Sequence, residues 1–246
     1  MWSPTQYEKF KSERAQPFHD LLALVEAKPN LRVVDLGCGT GELTRVLHEQ
    51  LGAAGTFGVD SSPEMLAKAS AFATGTLHFE QGTIEQFTSE RPFDLVFSNA
   101  ALHWVEDHPA LFARLTTLVA DGGQLAVQMP ANHDHPSHVV AAQLAPRFGV
   151  EGRVVPMLAP EEYASLLHRL GYTRQHVRLQ VYGHILDSTR DVVEWVKGST
   201  LTHYQQRLGD AWPAFLDAYT ERLLDVVPPD RPYFFPFKRI QIWAAR

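Results

Sequence analysis

Three glycines at a spacing of two mark the part of this sequence best suited to hold a ligand. Residues 33–47 read VVDLGCGTGELTRVL, in which Asp35 precedes Gly37, Gly39 and Gly41. Strand-like residues come before the glycines and a helix-like pattern follows them. Glycine permits a tight turn and close approach of a ligand to the backbone, and the first amides of a helix are unpaired. The spacing therefore predicts a nucleotide-like ligand at a strand-to-helix turn.

The spacing also indicates which nucleotide. A dinucleotide fingerprint needs G-x-G-x-x-G, but the third glycine here, Gly41, comes one position early and Glu42 stands in its place. Asp60 ends the next predicted strand and Ser61 follows it. This D-x-G-x-G-x-G pattern with a second-strand acid resembles the Rossmann-like S-adenosylmethionine methyltransferases. The resemblance implies that the glycine turn accommodates the methionine part and that Asp60 binds both ribose hydroxyls. An NAD site and an ordinary strand-helix turn are the alternatives.

The elements around these motifs alternate between strand and helix. The predicted strands are 31–37, 55–60, 76–80, 93–99 and 123–130, and the predicted helices are 42–51, 61–72 and 108–120. We expect Asp121, Gly122 and Gly123 to end the last of these helices. Such alternation is typical of parallel strands joined by right-handed crossovers, in an open α/β sheet that binds ligands beyond the carboxyl ends of its strands.

Beyond residue 130 the alternation ends. Residues 131–158 are rich in Pro and His, 160–172 and 189–227 are helical in pattern, and 176–186 and 237–245 are strand-like. The simplest arrangement adds two antiparallel strands to the sheet edge. We therefore predict one α/β domain, 1–246, with a Rossmann-like, seven-stranded, mostly parallel sheet, helices on both faces, and a helical cap from about 131–158 and 189–227.

Composition narrows the class of partner. The 246 residues are 45% hydrophobic and 20% charged, an ordinary balance for a globular protein, and the net charge of 22 − 28 = −6 argues against nucleic acid. No apolar run approaches the ~18 residues that a membrane span needs.

The single cysteine, Cys38, cannot form an internal disulfide, so we expect a cytoplasmic protein and a packing role for this thiol. We expect a monomer or a weak homo-oligomer.

Segments along nearly the whole chain extend the resemblance. They are WSPTQYEKFKSERAQP, SNAALHWVEDHPALF, LAVQMPANHDHPSH, VVEWVKGSTL and FKRIQIWAAR, and together they resemble the trans-aconitate methyltransferases. The resemblance implies S-adenosyl-L-methionine as cofactor, S-adenosyl-L-homocysteine as product, and an amino-terminal lid, 1–20, over the cofactor. The cofactor-binding residues that it implies are Asp35, Gly37, Gly39, Gly41, Asp60, Ser61, Thr83, Ile84, Asn99, Ala100, Tyr7 and Arg14.

Two positions depart from that family's pattern. An acidic residue usually follows the third strand and binds the adenine amine, whereas this chain has Gly82, Thr83 and Ile84. We expect Thr83 to bond the adenine through its hydroxyl or its backbone. In the cap, Leu201 is followed by Thr202-His203 where Arg-Pro is expected, so the identity of the acceptor stays open.

Two residues are candidates for contact with the acceptor. His103, in SNAALHW, is a hydrogen-bond donor, a general base or a wall of the pocket; beside it, Trp104 either stacks near the cofactor or anchors a helix. Lys238 and Arg239 are either a carboxylate clamp or an edge-strand charge pair, and the planar fork of Arg239 makes it the better clamp.

No metal site is expected. His133, His135 and His138 have no matching cysteine or fourth ligand nearby and are interpreted as solvated loop histidines.

These observations predict a small-molecule O-methyltransferase with an anionic, carboxylate acceptor. A carboxylate carries no proton at neutral pH and needs no base. The alternatives are an O- or N-methyltransferase of another metabolite that uses His103 as base, and a non-catalytic S-adenosylmethionine-binding protein. A nucleic-acid amino-methyltransferase is disfavoured because Asn99 is followed by Ala-Ala-Leu instead of a Pro-Pro-aromatic turn.

Overall fold

Seven strands form the sheet of the computed structural model, which describes residues 11–246 and the side chains from residue 15 onward. The strands are β1 (Arg32–Leu36), β2 (Gly55–Asp60), β3 (Leu77–Gln81), β4 (Phe93–Asn99), β5 (Val119–Pro130), β6 (Arg174–Leu186) and β7 (Tyr233–Ala245). The helices are α1 (Lys11–Leu22), α2 (Glu42–Leu51), α3 (Pro63–Ala69), α4 (His108–Leu118), α5 (Pro136–Leu144), α6 (Pro160–Arg169), α7 (Asp191–Lys197), α8 (Thr200–Leu208) and α9 (Trp212–Val226).

The strands lie in the order β3-β2-β1-β4-β5-β7-β6. β1 pairs in parallel with β2 and β4, β2 with β3, and β4 with β5, while β7 runs antiparallel to β5. The strand order therefore reverses between β1 and β4, which is where open α/β sheets bind their ligands. The predicted Rossmann-like, mostly parallel seven-stranded fold is confirmed.

Apolar side chains from β1, β4, β5 and β7 pack against α1 and α2 on one face of this sheet. Phe18 of α1 meets Phe97 of β4 edge to face, with ring centroids 5.5 Å apart. Neither ring is exposed to solvent, and Val33, Ala126 and Trp243 belong to the same core. Burial of the strands on both sides explains why their sequences read as nearly continuous apolar runs.

Contacts divide the chain into two compact units. The first, the sheet unit, comprises Gln16–Pro130, Pro156–Gln180 and Arg239–Arg246. The second, the cap unit, includes Ala131–Val155 and Val181–Lys238, and its own core is built from α5, α7, α8 and α9 with the start of β7. The single-domain arrangement with a lid at residues 1–20 stays a prediction, because most of that lid lies outside the described residues.

One predicted boundary is wrong. α4 ends at Leu118 and β5 begins at Val119, so Asp121, Gly122 and Gly123 lie within a strand and do not end a helix. The register of the ladder shifts between the pair Phe93–Val119 and the next pair along β4, which is a β-bulge or a similar irregularity, and Gly122 has a φ of 69° there. Glycine after a helix-like run marks a bulge as readily as a helix end.

The other predicted elements differ only at their ends. The stretch predicted to be helical at 189–227 consists of three helices, and β7 begins before the predicted residue 237. Ser62 caps α3, since its hydroxyl accepts a 3.3 Å hydrogen bond from the amide of Met65. Within residues 11–246, no helix combines the length and the apolar character that a bilayer span requires.

Candidate functional site

The glycine turn joins β1 to α2 at the carboxyl end of the parallel strands. Gly37 has a φ of 81°, and a Cβ atom on it would lie 2.2 Å from the Cβ of Ala101. Only glycine fits where the turn meets the segment that follows β4. Gly41 is the N-cap of α2, with a φ of 75°. The turn is thereby held against the segment after β4, which leads to His103, a candidate for contact with the acceptor.

Gly39 and Asp60 connect the turn to β2. The Gly39 amide donates a 2.8 Å hydrogen bond to Oδ2 of Asp60, and Oδ1 accepts a 2.9 Å hydrogen bond from the Ser62 amide. Each carboxylate oxygen keeps a further lone pair, as a pair of ribose hydroxyls would require. Apart from Gly39 and its two chain neighbours, no described residue has a heavy atom within 4 Å of the Cβ position of Gly39. The open space above a fixed carboxylate fits a nucleoside.

Asp35 is buried beneath the turn and bonds to the following helix. Its Oδ2 accepts a 2.6 Å hydrogen bond from the hydroxyl of Thr44 in α2. The pKa of Asp35 is raised to about 7, chiefly by burial; the bond from Thr44 opposes the rise and the charge of Asp60 adds to it. Asp35 thus ties β1 to the first turns of α2. Sequence reasoning missed Thr44, because a threonine inside a helix carries no signal of its own.

The segment after β4 has a strained backbone and an orphan polar atom. Ala100 has a φ of 56°, which is costly for a residue with a Cβ and clusters at functional sites. Its amide donates a 2.8 Å hydrogen bond to the carbonyl of Gln128. Oδ1 of Asn99 is buried and has no hydrogen-bond partner within the described part of the chain. A buried acceptor at this place suits the ammonium group of a methionine moiety.

His103 and Trp104 lie in a short 3-10 turn, Leu102–Trp104, directly after that segment. Their rings are 5.0 Å apart, His103 is half-buried, and Trp104 is 51% exposed. The buried His108 holds the turn from below, because its Nε2 lies 3.2 Å from the carbonyl of Leu102. A carbonyl only accepts, so Nε2 carries the proton and Nδ1 accepts from the hydroxyl of Tyr163, with which it forms a hydrogen bond. Burial lowers the pKa of His108 and keeps it neutral.

Thr83 and Ile84, on the proposed adenine side, follow β3. The Thr83 carbonyl accepts hydrogen bonds from the amides of Gln86 and Phe87, at 3.3 and 3.0 Å, and its side chain is exposed. Cδ1 of Ile84 lies 3.8 Å from the Cβ position of Gly37, so Ile84 flanks the turn. The guanidinium of Arg114 binds the carbonyls of Ile84 and Phe87. Sequence reasoning did not find that Arg114 fastens this loop.

Arg239 lies on β7 opposite Pro130 and is only 6% exposed. β7 is flanked by β5 and β6, so it is not the edge of the sheet. The alternative of an edge-strand, solvent-facing charge is therefore wrong for Arg239. In the cap unit, Lys238 forms an ion pair with Asp134, and its amide donates a 3.0 Å hydrogen bond to Oδ1 of Asn132.

The interpretation of the three histidines as solvated is wrong for two of them. Nδ1 of His135 accepts a 3.2 Å hydrogen bond from the Ser137 amide and caps α5, and Nε2 of His138 lies 2.7 Å from the hydroxyl of Thr200. Burial lowers the pKa of His135 to about 4 and that of His138 to about 3. Within residues 15–246, no group of three or more His, Cys, Asp or Glu side chains is placed to hold a metal ion.

Of the remaining residues singled out in the sequence, the structure describes the side chain of Cys38 but not those of Tyr7 and Arg14. Cys38 is buried in the glycine turn, and burial raises the pKa of its thiol far above the ordinary value. Such a thiol packs and does not react as a thiolate. The side chains of Tyr7 and Arg14 lie outside the described residues.

Comparisons with known proteins agree with this geometry. A family model described as a methyltransferase domain matches residues 7–177. A protein of Deinococcus radiodurans named trans-aconitate 2-methyltransferase is 43% identical over 100% of this chain and 98% of its own length. A protein of the same name from Streptomyces avermitilis is 38% identical over 97% of this chain and 94% of its own.

Solved structures share the fold. An S-adenosylmethionine-dependent methyltransferase from Mesorhizobium loti superposes with a TM-score of 0.55 at 22% identity, over 95% of this chain and 98% of that one. Phosphoethanolamine N-methyltransferase 2 from Haemonchus contortus, solved with S-adenosyl-L-methionine, gives 0.59 at 17% identity over 94% of this chain and 52% of that one. The chain belongs to the S-adenosylmethionine-dependent methyltransferases, in the family of the trans-aconitate 2-methyltransferases.

Proposed function

We propose that this methyltransferase esterifies a carboxylate of a small organic acid and that trans-aconitate is the first acceptor to test. The observation that carries the proposal is the burial of Arg239 at the carboxyl end of β5. A guanidinium keeps its charge when it is buried, and its planar fork matches the geometry of a carboxylate. The names of the relatives supply the candidate acid.

The cofactor site in this proposal follows the crevice between β1 and β4. Asp60 accepts from the ribose hydroxyls, Gly39 leaves the room for the nucleoside, and Asn99 and Ala100 meet the methionine part. Ile84 and Thr83 flank the adenine. When bound there, S-adenosyl-L-methionine supplies an electrophilic methyl group on a sulfonium.

The chain's remaining task is to position the acceptor and to exclude water. Arg239 would fix a carboxylate by two parallel hydrogen bonds, which also sets the direction of its oxygens. Correct orientation of the reactants can lower the barrier by up to ~7–11 kcal/mol. Because an ionised carboxylate has no proton to lose, His103 would act as a donor or as a wall of the pocket, not as a base.

The departure at Thr202-His203 bears on which acid is used. In the cap unit, the hydroxyl of Thr202 bonds to the carbonyl of Ser199, and Arg207 lies 3.0 Å from both Nδ1 and the carbonyl of His203. Neither Thr202 nor His203 carries a fixed positive charge, and the nearby Arg207 is bound to its own helix. We therefore expect a preference among di- and tricarboxylates that differs from the one that Arg-Pro at these positions would give.

The test is a panel assay of wild-type protein. Release of S-adenosylhomocysteine is followed with trans-aconitate, cis-aconitate, citrate and tricarballylate, and with an amine and an alcohol of similar size. The proposal expects turnover with at least one acid and none with the amine or the alcohol. Turnover confined to the amine or the alcohol would contradict it and would favour an acceptor that needs a base.

A further inference from the structure

Gln128 is the least satisfied buried side chain of the sheet unit. It lies near the carboxyl end of β5 and is 0% exposed. Neither its Oε1 nor its Nε2 has a hydrogen-bond partner among the side chains and backbone that the structure describes. An amide removed from water without partners is costly, and such groups are rare outside sites that bind something.

Gln124 shows that the same strand satisfies a buried glutamine elsewhere. It lies four residues earlier, so it shares the face of Gln128, and it is 1% exposed. Its Oε1 accepts 2.8 Å hydrogen bonds from the Glu26 amide and from Nε1 of Trp243, and its Nε2 donates a 2.9 Å hydrogen bond to the Glu26 carbonyl. Gln124 and Gln128 share a strand and a face, yet only the amide of Gln124 has hydrogen-bond partners in the described part of the chain. The lack of partners is therefore specific to Gln128.

The register places Gln128 next to Asn99, where the proposed function puts the methionine part of the cofactor. It is paired with Asn99, the last residue of β4, and with Gln241 of β7, and paired residues share a face of the sheet. Asp60 is three strands away, about 14 Å at ~4.8 Å per strand spacing. Gln128 therefore lies beyond β4 on the side away from the ribose carboxylate, beside Arg239, the proposed acceptor contact.

Arg239 completes the set of donors on this face. It lies two residues from Gln241 along β7, so it shares that face and is the diagonal neighbour of Gln128. Diagonal residues are ~7–8 Å apart, within reach of long side chains. A guanidinium and a primary amide therefore lie on this face, and both groups donate hydrogen bonds that a carboxylate can accept.

We propose that Gln128 binds the carboxylate being methylated, its Nε2 donating to the oxygen that does not attack. The inference rests on the proposed carboxylate methylation. The other oxygen forms the O–CH₃ bond as the S–CH₃ bond breaks, the electron pair of that bond stays on sulfur, and no proton is transferred. Gln128 thereby selects which oxygen faces the methyl group, and Arg239 carries the counter-charge.

Gln128→Met and the matched control Gln124→Met test this assignment. Methionine is similar in length and needs no hydrogen bond, so Gln128→Met should raise the Tm of the ligand-free protein by about 2–4 °C, the shift that relief of one such group gives in a chain of this size. The same variant should lower kcat/KM for the acid by about 10–100-fold and leave the Kd for the cofactor within about threefold. Gln124→Met should lower the Tm and leave kcat/KM unchanged.

Gln128→Glu adds a second readout. Its carboxylate would repel the acceptor's own charge, so kcat/KM should fall below that of Gln128→Met, and the loss should shrink as the pH is lowered. A lower Tm for Gln128→Met, parallel to the control, would overturn the inference, because the amide would then be structural. An unchanged kcat/KM would also overturn it. A different result would contradict the proposed function itself: wild-type protein would form no ester from any acid.

Discussion

The amide of Gly39 and Oδ2 of Asp60 are joined by a 2.8 Å hydrogen bond, so the acid that ends β2 is fixed by the glycine turn that follows β1. The Ser62 amide holds the other oxygen at 2.9 Å. A carboxylate held in this way is preorganised to accept two hydroxyl groups without losing further side-chain freedom. The turn and the acid therefore form one binding element, although 21 residues separate Gly39 from Asp60.

The first prediction concerns Asp60 in the cofactor-binding element. Asp60→Ala should weaken S-adenosylmethionine binding at least tenfold, because it removes two charge-assisted hydrogen bonds of about 1.5–3 kcal/mol each. Calorimetric titration of the folded variant measures the loss.

Asp94→Ala is the matched control for Asp60. Asp94 accepts a 2.8 Å hydrogen bond from the Arg32 amide at the opposite end of the strands. Its removal should cost stability and leave cofactor affinity within about threefold. Equal affinities for wild type and Asp60→Ala would refute the assignment of Asp60.

The second prediction concerns His103. If the acceptor is a carboxylate, His103→Gln should keep substantial turnover above pH 6, because glutamine retains a hydrogen-bond donor and no proton has to be removed. Steady-state rates from pH 6 to 9 provide the check. A loss beyond ~10³-fold, together with a wild-type rate that rises through one ionisation absent from the variant, would instead identify His103 as a base.

The third prediction concerns Arg239. Arg239→Ala should lower kcat/KM for the acid by about 10–100-fold, the scale of one charge-assisted contact, and Arg239→Lys should restore it only partly because lysine lacks the planar fork. Cofactor affinity should stay within about threefold.

Arg174 offers the control for a surface cation. It is paired with Glu26, and its side chain is 55% exposed, so Arg174→Ala should leave acceptor kinetics unchanged. Acceptor kinetics in Arg239→Ala that matched those of Arg174→Ala would remove Arg239 from the site.

The fourth prediction concerns Asp35 and pH. Its folded pKa of about 7 lies above the unfolded value of 3.8, so the folded state favours the protonated form. Its contribution to stability is fully present below about pH 4 and is lost as the pH rises to about 7, by about 1 kcal/mol per pH unit between those values. Asp35→Asn should remove that fall, since its side chain does not titrate. Urea unfolding of the ligand-free proteins at pH 5, 6 and 7 tests this. Wild-type and variant stabilities that run parallel across this range would contradict the shift.

The parts of the fold predicted correctly were those with local signals. The glycine turn and the alternation of strands and helices both follow from short-range chemistry, and β2, β4 and α2 have the expected limits. The bulge at Gly122 was missed because its cause is the pairing of β5 with β4, a contact between residues distant in sequence.

For the candidate site too, local signals could be predicted from the sequence, whereas contacts between distant residues could not. Its motif residues were found because backbone geometry restricts their identity, as at Gly37. His135 and His138 were misjudged because burial depends on how the cap unit packs, and two histidines in a Pro-rich stretch look solvated. Gln128 was not singled out because a glutamine between apolar residues carries no motif. It differs from Gln124 only in what surrounds it after folding.

The most direct test of the central claim follows the methyl group itself. Wild-type protein is incubated with trans-aconitate and S-adenosylmethionine carrying a ¹³C-labelled methyl group, and the product is analysed by NMR. Methylation of a carboxylate predicts a labelled methoxy signal with a long-range correlation to a carboxyl carbon, in an amount equal to the S-adenosylhomocysteine released. The signal should disappear on mild alkaline hydrolysis. A labelled methyl group on carbon, nitrogen or a hydroxyl oxygen, or S-adenosylhomocysteine without a labelled ester, would contradict it.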